Sequence, residues 1–147
     1  MIQILAMLLH ATCVSFDKKG VLLQGPSGIG KSDLALRLIE IGGILVADDQ
    51  VDLSVRAGKL IANSPKSLLC KLEVRGLGII EFPTIQNIPL SIIVDLVQKE
   101  RVPRFPELEY LQILNVCIRR LFLSPFESSC AIKIKTAVKN FWKENYK

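Results

Sequence analysis

No apolar run in this sequence of 147 residues is long enough to span a bilayer, because charged or strongly polar residues interrupt every candidate. There is no Cys-x-x-Cys pair either. Cys13, Cys70, Cys117 and Cys130 are scattered, which excludes the common zinc-binding spacings and offers no disulfide framework. Such cysteines are expected to be reduced, mostly buried, small hydrophobes in a cytoplasmic protein. No repeat, low-complexity tract or linker divides the chain, so residues 1–147 are expected to form one domain with a real core. Basic residues do not interleave with aromatics as they do in a single-strand binder, and neither nucleic acid nor a membrane is an expected partner. The opening stretch from Met1 to Leu9 has the look of a signal-peptide core. It lacks a basic n-region, and His10-Ala11-Thr12-Cys13 is a poor cleavage site, so it reads as the first buried strand. The net charge of +5 is modest. Much of it falls on Lys133, Lys135, Lys139, Lys143 and Lys147, opposed there by Glu144, a pattern that fits the solvated face of a terminal helix.

What the sequence does have is Gly25-Pro26-Ser27-Gly28-Ile29-Gly30-Lys31-Ser32, which fits the P-loop pattern G-x-x-x-x-G-K-[ST]. Its flanks fit as well. Gly20 to Gln24 reads as a short buried strand, and Asp33 to Glu40 as a helix with apolar residues at 34, 35, 38, 39 and 41. In a strand–loop–helix of this kind, glycines let backbone N–H groups wrap phosphate oxygens, and the helix N-terminus adds positive partial charge. Lys31, expected to be exposed, would reach the terminal phosphates, and Ser32 would ligate Mg²⁺. The expected ligand is a phosphorylated nucleotide or pyrophosphate.

Around this motif the chain reads as a series of short β segments. Residues 2–9 and 11–16 are expected strands with a kink at His10, followed by a hairpin turn at Asp17-Lys18-Lys19-Gly20. Strand 21–24 leads through the loop to helix 32–41, which Gly42-Gly43 ends. Ile44 to Ala47 is a short buried strand, and 51–55 and 59–62 flank a turn at Arg56-Ala57-Gly58. Further apolar or β-branched stretches cover 68–72, 91–97 and 115–123, with an exposed Pro-, Glu- and Arg-rich loop over 101–109. Ser124 to Glu127 reads as a turn or helix start and 128–144 as the final helix. One loop-bearing helix among turn-rich β segments predicts an α/β fold with a mixed sheet, not a purely parallel doubly wound one.

Phosphate transfer needs more than a phosphate cradle. Asp48 and Asp49 end the strand that follows the helix, where functional groups gather in α/β folds. Neighbouring residues of an extended chain point to opposite sides, so the two acids should differ in role, one as base and the other on metal or as a loop anchor. Glu73 is a further candidate metal ligand, and Arg75 shares its face if that segment is extended. Gly76 and Gly78 bracket Leu77, which fits a tight backbone position near ligand and equally a bulge or turn. His10 is the one histidine, open to a structural role or to tuning a nearby carboxylate.

Taken together, these segments resemble the HPr kinase/phosphorylase family. The P-loop is followed by a helix and by Val46-Ala47-Asp48-Asp49, then by Glu73-Val74-Arg75-Gly76-Leu77-Gly78-Ile79-Ile80, which reproduces the family's E-[IV]-R-G-L-G-I-I signature. His10 matches a histidine preceding the loop, and Leu123 to Ser129 resembles the tail of the family's short forms. The resemblance implies a P-loop core related to phosphoenolpyruvate carboxykinase and ATP and Mg²⁺ as cofactors. It implies HPr, the small phosphocarrier protein, as the substrate, and it allows a homo-oligomer. It also implies roles. Lys31 and the amides of Gly25 to Ser32 hold the β- and γ-phosphates, and Ser32 and Glu73 bind Mg²⁺. Asp48 takes the proton of the HPr serine and returns it when phosphate attacks in the reverse direction. His10 sits near Asp48 and helps set its protonation, and Arg75 supports the signature loop. Two departures stand out: Val102 to Glu107 replaces the family's Arg- and Pro-containing loop, and Asp33 replaces a glutamate. The competing readings are a P-loop kinase for a small molecule and a non-catalytic nucleotide-sensing regulator.

Overall fold

The computed structural model describes residues 6–65 and 69–141. The expected strand and helix residues 2–5, 68 and 142–144 lie outside these, as do Lys143, Glu144 and Lys147. Among the described residues a nine-stranded mixed sheet forms, with a main path β1-β5-β6-β9-β3-β2-β4 and with β10 and β11 joined through β9. The strands are β1 (Ala6–Leu9), β2 (Thr12–Phe16), β3 (Lys19–Gln24), β4 (Ile44–Ala47), β5 (Val51–Arg56), β6 (Lys59–Asn63), β9 (Ile88–Leu96), β10 (Tyr110–Ile113) and β11 (Val116–Leu123). A separate antiparallel pair consists of β7 (Leu69–Val74) and β8 (Gly78–Pro83). The helices are α1 (Lys31–Glu40) and α2 (Cys130–Phe141). Strand β9 runs parallel to both β3 and β11, and the other pairings are antiparallel, which makes the sheet mixed as expected.

The central strands are continuous apolar runs because both of their faces are covered. Val21 and Leu23 of β3, with Ile92 and Val94 of β9, pack against Leu34 and Leu38 of α1 and Ile134 and Val138 of α2. Leu22 and Ile93 face the opposite way, into a second core with Leu53, Leu60 and Ile118. The period of two thus splits one run into two cores. An Asp95–Arg120 ion pair adds a side-chain tie between β9 and β11.

Three hairpins turn on pairs of residues with positive φ, the geometry whose twist matches that of the flanking strands. Asp17 and Lys18 join β2 to β3, with φ of 50° and 61°. Ala57 and Gly58 join β5 to β6, and Leu114 and Asn115 join β10 to β11. Lys19 and Gly20, expected in the first turn, are already strand residues.

Helix α1 ends in a Schellman motif. The Gly43 N–H reaches the Leu38 carbonyl at 2.9 Å and the Gly42 N–H the Ile39 carbonyl at 3.1 Å, with Gly42 at φ 107°. The Lys135 Nζ of α2 donates to the Ile41 carbonyl at 2.7 Å, placing a cation at the negative end of α1. Part of the basic surface of α2 therefore has an internal role.

The first strand departs from expectation. Strand β1 is exposed rather than buried, with Leu8 54 % exposed. It pairs with β5 at the end of the sheet path, so among the described residues it has a neighbour on one side only.

Gly43 has no room for a side chain. An added Cβ would lie 2.7 Å from Val14 Cγ1 and 2.8 Å from the Leu38 carbonyl oxygen. Gly43→Ala is expected to lower stability by about 1–3 kcal/mol, read as a reduced urea midpoint with an unchanged m-value. An unchanged midpoint would contradict the close approach.

Candidate active site

The sheet topology brings the loop and the first acids to one edge. Strands β3 and β4 both run antiparallel to β2, on either side of it, so their C-terminal ends lie at the same end of the sheet. The glycine loop leaves one of them and Asp48 leaves the other, while Thr12, the first residue of β2, lies between.

Within the loop, Ile29 is 8 % exposed and packs into the core beneath, and its N–H closes a turn on the Pro26 carbonyl at 3.1 Å. Gly28 and Gly30 take φ of 82° and 103°, conformations that side chains other than glycine rarely adopt. Gly30 is the N-cap of α1 and provides no side-chain cap, which leaves first-turn N–H groups available to an anion.

Lys31 is not exposed as the sequence suggested. It is 9 % exposed, and its Nζ donates to the carbonyls of Gly25 at 2.7 Å and Pro26 at 3.1 Å. Two of the three ammonium donors are thus satisfied by carbonyls of the loop itself.

The Asp48 carboxylate collects hydroxyl donors. Thr12 Oγ1 donates to Oδ1 at 2.7 Å, and Ser32 Oγ lies 3.1 Å from both Oδ1 and Oδ2. Asp49 does not continue the strand but turns at φ 69°. Both acids therefore line one cleft instead of pointing to opposite sides of it. His10 Nε2 lies 3.6 Å from Asp49 Oδ1, so the histidine pairs with Asp49 rather than with Asp48. Both members of that pair are more than half exposed, and such a pair is worth little by itself.

Strand β7 forms the facing wall. Leu72 is fully buried, and Cys70 and Val74 pack beside it against the core. The alternating residues Lys71 and Glu73 are exposed on the cleft, and Arg75 joins them from the turn. Burial pushes the Cys70 thiol above its ordinary range. A backbone hydrogen bond with Asp48 opposes this, and the charge of the Asp48 carboxylate adds to the rise. The cleft of about 780 Å³ brings together His10, Lys31, Ser32, Asp48, Glu73 and Arg75, residues singled out from the sequence. It also contains Thr12 and Phe126, which were not. Thr12 was legible only through strand register, and Phe126 reaches the cleft from the far end of the chain.

A model of the HPr Serine kinase C-terminal domain matches residues 4–146. The chain belongs to this family. The HPr kinase/phosphorylase of Clostridium tetani is 38 % identical, across 90 % of this chain and 48 % of its own length. That of Clostridium beijerinckii is 39 % identical, across 77 % and 41 %. The chain thus spans about half the length of these relatives. Among solved structures, the Hpr(Ser) kinase/phosphatase from Coxiella burnetii superposes with a TM-score of 0.79 at 28 % identity, covering 94 % of this chain and 92 % of that one. The family's α/β architecture with a mixed sheet is the fold described above.

The Thr12–Asp48 hydrogen bond has a measurable signature. Thr12→Val, nearly the same shape, is expected to cost about 1.5–3 kcal/mol because the acceptor is charged. In an Asp48→Ala background the same substitution should cost close to nothing. A double-mutant cycle in urea reads the difference, and equal costs in both backgrounds would show that the hydroxyl does not act through Asp48.

Proposed function

We propose that this chain is a Mg²⁺- and ATP-dependent protein serine kinase unit whose acceptor is HPr, with Asp48 as general base. The observation that carries the proposal is the Asp48 carboxylate, held by Thr12 and Ser32 beside the glycine loop. In this reading Gly25 to Ser32 is a P-loop, the core is of the phosphoenolpyruvate carboxykinase type, and residues 1–147 act as one kinase domain. Family membership over residues 4–146 and the names of the relatives support it.

The chemistry assigns each group a task. The loop N–H groups and the Lys31 ammonium neutralise the β- and γ-phosphates. Ser32 and Glu73 offer only oxygen donors, the hard kind that suits magnesium. Among the described residues no three His, Cys, Asp or Glu side chains form a self-contained metal cluster. This fits a cation held by one or two protein oxygens together with substrate phosphates. Ser32 and Glu73 would hold it, and it would supply charge neutralisation at the phosphates. Asp48 accepts the proton of the acceptor serine as that oxygen attacks, and in the reverse direction Asp48 returns it. Arg75 supports the signature turn at the cleft mouth. His10 pairs with Asp49, the neighbour of Asp48, and so bears on the base only indirectly.

Incubation with Mg²⁺, ATP and the HPr of the same organism, followed by intact mass, tests this. HPr is expected to gain one phosphoryl group. Asp48→Asn should abolish the gain while ATP affinity stays within about twofold of wild type. Lys31→Met, which keeps the buried stem, should lose ATP binding with the fold retained. ATP binding without transfer to HPr would overturn the proposed acceptor and favour a nucleotide sensor or a small-molecule kinase.

A further inference from the structure

A second cavity of about 620 Å³ adjoins the turn after β11. Its walls include Gln98 and Lys99, which follow β9, together with Ser124, Phe126 and Ser128. Among the described residues, Phe126 is the one residue that lines both this cavity and the cleft over the glycine loop. Phe126 is 67 % exposed, so its side chain is open to a ligand that spans the two. The turn that carries it is nevertheless fixed on both sides. Arg37 of α1 donates through Nη2 to the Pro125 carbonyl at 2.5 Å and through Nη1 to the Glu127 carbonyl at 3.5 Å. The Glu127 carboxylate accepts from Lys133 at 2.9 Å. An exposed aromatic face on a pinned backbone is preorganised for stacking, since little freedom is lost when a flat partner lies on it.

The geometry points to the second cavity as the site of the nucleotide base, with Phe126 as its stacking platform and Gln98 as the group that reads the base edge. This inference rests on the nucleotide-binding reading above and specifies the part of the nucleotide that the glycine loop does not touch. Three observations converge. The cavity has the size of a small-molecule site and shares a wall with the phosphate cleft, as one ligand with a phosphate end and a flat end requires. The Gln98 amide offers both a donor and an acceptor, the pair that a base edge presents in complement. Ser124, 2 % exposed, keeps its hydroxyl oxygen without a hydrogen-bond partner among the described residues, an unspent polar group in the same wall.

The test separates base from phosphate. Calorimetry with Mg²⁺ and ATP, and separately with Mg²⁺ and inorganic tripolyphosphate, is run on the full chain and on Phe126→Ala, Phe126→Trp and Gln98→Leu. Wild type should bind ATP more tightly than tripolyphosphate. Phe126→Ala should weaken ATP by about tenfold, the scale of one base–aromatic stack, and leave tripolyphosphate unchanged. Phe126→Trp should keep ATP affinity, and Gln98→Leu should again weaken ATP alone. Because Phe126 and Gln98 stand outside both cores, the variants should melt as wild type does. If Phe126→Ala weakens both ligands equally, or neither, the base site is overturned while the phosphate loop stands. If wild type binds neither ligand, the nucleotide reading falls and this inference falls with it.

Discussion

The site depends on one carboxylate finding its donors. Asp48 follows β4, Thr12 opens β2 and Ser32 lies in the first turn of α1, and their side chains meet at 2.7 to 3.1 Å. Hydrogen bonds to a charged acceptor are stronger and more directional than neutral ones. They fix where the acid points, and they fasten the start of the helix to two strands at once. Without this meeting point the glycine loop would still bend, but the acid beside it would be free to swing.

The fold was legible where local chemistry and burial agree. Val21 to Leu23 and Ile44 to Ala47 are short apolar runs bounded by turn residues, and they are the strands they resemble, buried except for Ile44, which is 46 % exposed. Gly42-Gly43 marks the helix end because only that pair suits a Schellman turn closed against Val14. Strand β10 was missed, since its hairpin turns on Leu114-Asn115 with no glycine and follows a Pro- and Glu-rich loop. The apolar residues of β1 by themselves predict a buried strand. Its exposure follows from its place at the end of the sheet path, which no local pattern encodes.

The same division runs through the site. Asp48, Glu73 and the glycine loop stand out by residue type and spacing, and the cleft contains both acids and the loop from Ser27 to Ser32, while Gly25 and Pro26 lie outside its lining. The side-chain arrangement was harder to read. Lys31 turns back on the carbonyls of its own loop, and His10 meets Asp49 because that residue leaves the extended conformation at φ 69°. Thr12 and Phe126 are ordinary residues whose importance comes from register and from a contact between distant parts of the chain. Arg37 is the clearest case: a helix surface arginine by sequence, it grips the turn that carries Phe126.

The parallel pairing of β3 with β9 also sets the order in which the chain can be completed. Leu22 lies opposite Ile93 and Gln24 opposite Asp95, so the strand that feeds the glycine loop waits for a partner from much later in the sequence. The β2–β3 and β5–β6 hairpins need only local closure and can form early. Long-range parallel pairing is slow because a large loop must close before any contact rewards it. During synthesis, a chain that has not yet delivered β9 carries β3 with one edge unpaired and its apolar face uncovered. That interval, rather than the finished protein, is when this molecule is most exposed to misassembly.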